Sequence, residues 1–369
     1  MAKKSSIKVP DAKSLARKWG ASSKPQEEEE NQLWIPFDDI TLNYKLGGGA
    51  PYGRVIEIIG YQSTGKTLMA MALARNTIKL GGIVLWGDHE GTWTRSWAIK
   101  NGVDPNKVVV YQDNDVEGFS DWFHDMGLYW RSQLTNNEPI LVVSDSLAAL
   151  ETTANIEAEQ KDGKAQMGNK AKALDQMYRK RVRFLGKYGV TFVAINQVRE
   201  KIGASLYEDA TTTPGGKATQ FYATIRIMLV RSKAIKKKVH GKERKVGQNI
   251  IVRIDKNKIH PPAESYKTDV YYTDSAGDTI GYAKYRGLPD VLEESGTVTR
   301  KGSRYYQGDK MVGNGEEAFT RLIEKEKGLR SNLLSELGVN TISKSRKQLE
   351  EINTNLFPVA AAKDEDEDE

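Results

Sequence analysis

The 369-residue chain contains no cysteine, which excludes disulfides, iron–sulfur clusters, thiol catalysis and thiolate zinc sites. Its four histidines, His89, His124, His240 and His260, are too scattered to suggest a histidine metal cage. Long apolar runs are also missing. The longest candidates, such as Ile225 to Val230 (IRIMLV), are strand-length, and the N-terminal residues hold no apolar signal-peptide stretch. A soluble cytoplasmic protein without membrane contact is therefore expected. No internal repeat is visible at periods of roughly 20 to 50 residues, which argues against a solenoid or propeller.

What is present is a globular composition, 28% charged and 38% hydrophobic, over a length that accommodates one large core with smaller appendages. The formal net charge is +6, yet the last six residues, Asp364 to Glu369, carry −6, so residues 1–363 carry +12. A basic body attracts polyanions, of which nucleic acid is the commonest. Charge alone is equally compatible with a merely soluble basic surface.

Four regions follow from the patterning. Residues 1–35 read as a basic N-terminal arm, with Leu15, Ala16 and Trp19 on one prospective helix face, followed by an acidic linker around Glu27 to Glu30. Residues 36–275 alternate strand-length apolar runs with helical segments. The runs are Arg54 to Ile59, Ile83 to Trp86, Lys107 to Tyr111, Ile140 to Ser144, Val190 to Ile195, Ala223 to Val230 and Asn249 to Ile254. Continuous Val/Ile/Leu runs joined by helices predict an α/β fold with a mostly parallel central sheet, the last two runs forming a hairpin that flanks the basic stretch Lys233 to Lys245. Residues 276–357 predict a small α+β C-terminal domain with helices at Asp290 to Glu294 and Glu316 to Leu337. Residues 358–369 predict a disordered acidic tail.

Gly60-Tyr61-Gln62-Ser63-Thr64-Gly65-Lys66-Thr67 matches G-x-x-x-x-G-K-[ST], after the strand RVIEII and before a helical segment, Leu68 to Leu80. Such a loop turns successive backbone N–H groups toward phosphates, Lys66 adds a cation near the β and γ groups, and the Thr67 hydroxyl can bind Mg²⁺. Leu141-Val-Val-Ser-Asp145-Ser146 is an apolar strand ending in a carboxylate, the form expected of an aspartate that assists the metal. Between them, Glu90 in Gly87-Asp88-His89-Glu90 is placed to polarise an attacking water, a solvated loop acid being the alternative. Trp97 can stack on an adenine or be an ordinary core tryptophan.

Asn196 and Gln197 put two amides at another strand edge, suited to hydrogen-bond a γ-phosphate. A long polar segment, Val198 to Thr219, follows and suits a sugar-phosphate backbone through its cations, hydroxyls and N–H groups. An earlier segment, Glu157 to Asn169, reads as irregular, and the helix after it carries Lys170, Lys172, Arg179, Lys180, Arg181 and Arg183.

These motifs together resemble the RecA-type homologous recombinases, bacterial or phage-encoded. The resemblance is carried by GYQSTGKT, WGDHEG, LVVSDSLAAL, AINQVREKIG, TTTPGGKATQFYA and RIDKNKIHPP, from about Leu46 to Tyr272 and more weakly to about Leu337. It implies a RecA-like P-loop ATPase core, ATP and Mg²⁺ as cofactors, and helical filaments on single-stranded DNA with ATP between neighbouring copies. Strand exchange with a homologous duplex, in recombination and repair, is implied as well. By matching position, Gly60 to Leu68, Trp97 and Asp145 bind nucleotide, Thr67 and Asp145 serve the metal, and Lys66, Glu90, Gln197, Lys256 and Lys258 are catalytic, the last two acting on the neighbour's γ-phosphate. Met167, Lys172, Arg179, Arg199, Lys201, Ile202, Gly203, Thr213, Gly215, Gly216 and Lys217 are the implied contacts to single-stranded DNA. Six features depart from the pattern: Thr94 where an acid is expected near adenine, Pro214 before the glycine pair, a first loop longer by about two residues, Glu200 inside the second loop, the basic richness of Lys233 to Lys245, and a divergent N-terminal arm. A hexameric RecA-fold helicase is the alternative reading, and a small-molecule P-loop kinase a more distant one. A location in the cytoplasm, the host's if the chain is phage-encoded, goes with the resemblance.

Overall fold

In the computed structural model the described residues are 32–135, 137–162, 168–200, 211–212, 216–261, 265–273 and 280–337. Residues 1–31 of the expected arm and linker, and the acidic tail, lie outside them, whereas Trp34–Ile35, assigned to that region, form a strand with Ile35 buried in the core. The first elements are β1 (Trp34–Ile35), α1 (Ile40–Leu46), β2 (Ala50–Pro51), β3 (Val55–Gly60), α2 (Lys66–Lys79), β4 (Ile83–Asp88), α3 (Arg95–Lys100), β5 (Val108–Tyr111) and α4 (Val116–Gln133). Next come β6 (Ile140–Asp145), α5 (Thr153–Asp162), α6 (Asn169–Tyr188), β7 (Val190–Gln197), β8 (Arg199–Glu200), β9 (Thr211–Thr212), α7 (Ala218–Tyr222), β10 (Ile225–Val239) and β11 (Lys242–Asn257). The chain continues with β12 (Tyr266–Tyr271), β13 (Gly281–Tyr282), α8 (Leu288–Glu294), β14 (Thr299–Lys301), β15 (Arg304–Gln307), β16 (Lys310–Asn314), α9 (Glu316–Lys325) and α10 (Lys327–Glu336).

Among the described residues the main sheet has nine strands in the order β13-β12-β11-β10-β3-β7-β6-β4-β5. From β10 to β5 all neighbours are parallel, and β11, β12 and β13 add antiparallel strands at one side. The apolar runs form central strands because both faces are covered. Alternate residues serve different layers: Leu141 and Val143 join α2 residues Leu68, Met69 and Leu73 in one cluster, while Ile140 and Val142 join Phe119, Phe123 and Tyr178 from α4 and α6 in another. Glu57 interrupts the apolar run of β3. It is fully buried, and it survives there because Arg226 pairs with it at 2.6 Å and the Asn196 amide donates to it at 3.2 Å. A third cluster, including Leu288, Tyr305, Phe319 and Leu333, lies between α8, the β14–β16 sheet and the last two helices.

Three expectations are corrected. The segment Glu157 to Asn169, read as irregular, is helical through Asp162, because its Glu, Ala, Gln and Lys residues are good helix formers. The helix expected over Glu316 to Leu337 is broken at Glu326, whose backbone is extended (φ −94°, ψ 97°), so that α9 and α10 both turn onto the third cluster. The basic stretch Lys233 to Lys245 is mostly strand itself, turning at His240 and Gly241, both in the left-handed region.

Asp39 caps α1, its Oδ1 accepting from the Thr41 and Leu42 amides while Tyr266 donates to Oδ2 at 2.9 Å. Burial pushes its carboxyl up from 3.8 to about 6 against the effect of these donors. The fold therefore holds the proton more tightly than the unfolded chain, and the stability this contributes is complete below about pH 4 and lost as pH rises through about 6. Relative to Asp39→Asn, the natural protein is expected to lose on the order of 3 kcal/mol between pH 4 and 7 in urea unfolding. Parallel pH profiles for the two proteins would contradict this.

Candidate nucleotide and DNA-binding site

The loop between β3 and α2 is shaped by three residues that permit close backbone approach. A Cβ at Gly60 would lie 2.7 Å from both the Leu229 carbonyl oxygen and Thr64 Oγ1. Gly65 has φ 89° and begins α2 with no side-chain cap, which leaves the first N–H groups of a 14-residue helix facing the loop. Ser63 also sits in the left-handed region, at φ 60°. Thr64 closes the turn by donating to the Tyr61 carbonyl at 2.9 Å. Gln62 and Ser63 are exposed at the tip, whereas Leu68 is buried in the core cluster of α2.

Lys66 folds back over this loop and donates to the carbonyls of Gly60 (3.0 Å) and Tyr61 (2.8 Å). Burial lowers its pKa, while Asp145 and Glu90 act in the opposite direction. Thr67 donates to Asp145 Oδ2 at 3.0 Å. Burial raises the Asp145 carboxyl to about 7; Glu90 and Asp88 push it further up, and the Thr67 hydrogen bond and Lys66 hold it down. Both charges are thus held at a desolvation cost. A Mg²⁺–triphosphate fits this pair: phosphate oxygens would receive the ammonium and the uncapped helix N–H groups, and the cation would favour the ionised Asp145 beside the Thr67 hydroxyl.

Strand register brings the other candidates to the same edge. Asp88 pairs with Asp145, and the His89 amide donates to the Asp145 carbonyl at 3.0 Å. Glu90 follows, exposed, and accepts a hydrogen bond from the buried Ser146 hydroxyl. Asp88 itself is spent on the Thr92 and Trp93 amides, each at 2.9 Å. Gln197 pairs with Gly60, and the Val198 amide donates back to the Gly60 carbonyl at 3.3 Å. Asn196 does not join the phosphate edge: it is fully buried and its amide is bonded to Glu57. Trp97 lies half-buried on α3 and packs against the large core cluster. Thr94 caps that helix, its hydroxyl accepting from the Trp97 amide at 3.2 Å, so the expected acid is replaced by another good N-cap residue.

Lys256 and Lys258 stand at the other end of the strands. Asn257 lies between them opposite Ile225, and Gly60 lies opposite Leu229, a separation of four residues or about 13 Å along the strand. Lys256 donates to the Gln220 and Phe221 carbonyls at 2.6 and 3.0 Å, and Lys258 borders a pocket of about 300 Å³ with Phe221 and Tyr222.

Of the DNA candidates, Lys172, Arg179, Gly216 and Lys217 are exposed, and Arg179 pairs with Asp175 at 2.7 Å along α6. The start of α6 and the exit of the second loop meet, since a Cβ at Gly216 would lie 3.1 Å from Ala171 Cβ. Arg199 and Glu200 pair in backbone register with Thr212 and Thr211, which zips the entry and exit of that loop. Met167, Lys201, Ile202, Gly203, Thr213 and Gly215, like Pro214, lie outside the described residues. Other basic residues of α6 are engaged elsewhere: Arg181 pairs with Asp121, and Lys170 donates to the Ala148 carbonyl at 2.7 Å.

Two phenols that no local pattern marks also brace the phosphate loop. Tyr272 donates to the Ser63 carbonyl at 3.0 Å, and the buried Tyr282 lies 3.4 and 3.3 Å from the Thr64 and Gly65 carbonyls. Their sequence signal is a position just after β12 and in β13, which gains meaning once the structure brings that side of the sheet to the phosphate loop.

The family model described as the RecA N-terminal domain matches residues 15–277. Protein RecA of Tropheryma whipplei (strain Twist) is 33% identical over 297 residues, covering 80% of this chain and 63% of that protein. Protein RecA of Picosynechococcus sp. (strain ATCC 27264 / PCC 7002 / PR-6) is 33% identical over 292 residues, 79% of this chain and 78% of that protein. Protein RecA of Nostoc sp. (strain PCC 7120 / SAG 25.82 / UTEX 2576) is 36% identical over 288 residues, 78% of this chain and 75% of that protein. With the family model matching residues 15–277 and these relatives aligned over about four-fifths of its length, the chain belongs to the RecA family.

Proposed function

We propose that this edge binds ATP and Mg²⁺ and couples their hydrolysis to a DNA strand held by the loops after β6 and β7. The protein is a DNA-dependent ATPase of the recombinase class, acting in homologous pairing, strand exchange and DNA repair through filaments on single-stranded DNA with a homologous duplex as second substrate. We place it in the cytoplasm, the host's for a phage-encoded member; among the described residues no helix is long and apolar enough to cross a membrane. The division proposed for the chain is an arm and linker (1–35), an ATPase and DNA-binding core (36–275), a small C-terminal domain (276–357) and an acidic tail (358–369).

The pairing of Gly60 with Gln197 carries the reading, because it makes the phosphate loop and the root of the second DNA loop adjacent backbone. In the proposed cycle Gly60 to Leu68 wrap the phosphates, with Lys66 turning from the loop carbonyls to the β and γ groups. Thr67 and Asp145 hold the metal, whose role when bound is to neutralise charge on the transferring phosphate. Glu90, held by Ser146, orients water as general base. Gln197 reports γ-phosphate to the DNA loop, where Arg199, Lys201, Gly203, Thr213 and Gly215 to Lys217 join Lys172 and Arg179 in gripping phosphates. Met167 and Ile202 wedge between bases, and Trp97 stacks on adenine. The distance of Lys256 and Lys258 from their own phosphate loop supports action on a neighbouring copy's nucleotide.

Hydrolysis by the natural protein should rise severalfold or more with single-stranded DNA, and extended filaments should form with DNA and a slowly hydrolysed ATP analogue. An ATPase indifferent to DNA, or closed rings in electron micrographs, would overturn the proposal. Lys66→Ala should lose nucleotide binding, whereas Glu90→Gln should bind ATP and DNA but hydrolyse about 100-fold more slowly or worse. Equal loss of binding in both variants would contradict the assigned roles.

Lys256→Ala should be inactive alone yet regain part of its ATPase when mixed with Lys66→Ala, which supplies intact lysines but no competent phosphate loop. The absence of restoration over a range of mixing ratios would argue against action between copies.

A further inference from the structure

The start of α6 has no side-chain cap. Its N-cap is Gly168, in the left-handed region at φ 96°, so nothing local accepts from the first amides of this 20-residue helix. Tertiary contacts set the first turn instead, and three consecutive residues each take a different partner. Asn169 donates from Nδ2 to Asn155 Oδ1 at 2.9 Å, Lys170 donates to the Ala148 carbonyl at 2.7 Å, and a Cβ at Gly216 would lie 3.1 Å from that of Ala171.

The three partners come from three places. Asn155 belongs to the first turn of α5, Ala148 to the exit of β6 just after Asp145, and Gly216 to the exit of the proposed second DNA loop. Lys172 follows directly in α6, and Arg179 stands about two helical turns further on along the same exposed face.

Asn155 is the buried centre of this junction. It is 4% exposed, and both ends of its amide are engaged, Oδ1 by Asn169 and Nδ2 by the Glu151 carboxylate at 2.9 Å. Glu151 also receives the Thr152 amide at 2.9 Å. Its backbone is fastened to the exit of β5, its amide donating to the Asn114 carbonyl at 2.7 Å and its carbonyl accepting from the Val116 amide at 2.9 Å. The neighbouring Asp113 carbonyl oxygen lies 2.8 Å from His89 Nδ1, in the turn that carries Glu90. Between Asp145 and Asn155 the chain is tied down again at Leu147, whose amide donates to the Ile195 carbonyl at 2.9 Å. A segment bonded this closely passes a shift at Asp145 on to α6. Two apolar side chains would join α5 to α6 without a desolvation cost; an amide pair fixes one geometry.

We propose that Asn155 and Asn169 are positioning residues that fix the DNA-facing stripe of α6 to the strand exit bearing the metal ligand, so that occupancy of the nucleotide site sets affinity for single-stranded DNA. The inference rests on the ATPase and DNA-binding reading above. It adds a second path to the Gln197 contact, one that governs strand affinity where Gln197 governs hydrolysis.

The test uses the full chain with Asn169→Ala, with Asn155→Asp, and with Asn155→Asp and Glu151→Gln combined. Asn155→Asp alone sets two carboxylates against each other; the combined change restores the buried pair with its donor on the other side and leaves an acceptor for Asn169. Affinity for a fluorescently labelled single strand is measured by anisotropy with and without Mg²⁺ and a slowly hydrolysed ATP analogue, beside steady-state ATP hydrolysis. In both single variants the gain in strand affinity that the analogue produces should fall about tenfold, while DNA-free ATPase, its KM for ATP and the maximal stimulation at saturating strand stay within about twofold of the natural protein. The combined variant should recover the gain. An unchanged gain in Asn169→Ala would overturn the proposal, as would equal weakening of strand binding with and without the analogue, or failure of the combined variant to recover. If the analogue leaves the natural protein's strand affinity unaltered, the junction has no coupling to carry and this inference fails by itself; if the natural protein hydrolyses no ATP or binds no single strand, the reading beneath it fails too.

Discussion

Parallel strands joined by crossover helices all leave their sheet at one edge, and every charged group of the nucleotide site depends on that constraint. Gly60 beside Gln197 and Asp88 beside Asp145 are consequences of register, and through them the phosphate loop and the proposed metal ligand, base and sensor come from four separate stretches of sequence. The same edge is where Lys66 and Asp145 are buried in opposition to their preferred charge states. Such a site is unfavourable empty, and a ligand that brings both negative phosphates and a positive metal relieves both costs together.

Separation matters as much as convergence. Strand register sets Lys256 and Lys258 about 13 Å along the sheet from the phosphate loop, at the opposite end of the strands. Lys256 is not idle there: it donates to the Gln220 and Phe221 carbonyls of α7, the helix that follows the proposed second DNA loop. In the proposed action on a neighbouring copy, release of those carbonyls by Lys256 would link subunit contact to the position of that helix, and hence to the loop before it.

Much of this was legible in the sequence because it is local. The phosphate loop is contiguous, and buried parallel strands announce themselves as apolar runs. What stayed hidden depends on partners far along the chain. Asn196 looked like a second phosphate sensor beside Gln197, but period-two alternation turns it inward to the buried Glu57–Arg226 pair. Ser146, Tyr272 and Tyr282 acquire roles only through contacts across tens or hundreds of residues. The extent of the hairpin was masked by lysines, which are poor strand formers on propensity, and the break at Glu326 is set by packing onto Phe319 and Leu333.

The central claim is that γ-phosphate and DNA communicate through the Gly60–Gln197 contact. Its most direct test is steady-state ATP hydrolysis by Gln197→Ala titrated with single-stranded DNA, alongside separate measurements of ATP and DNA binding. The account predicts near-normal binding of each ligand and loss of most of the DNA stimulation, about tenfold or more. Full stimulation in that variant would contradict it.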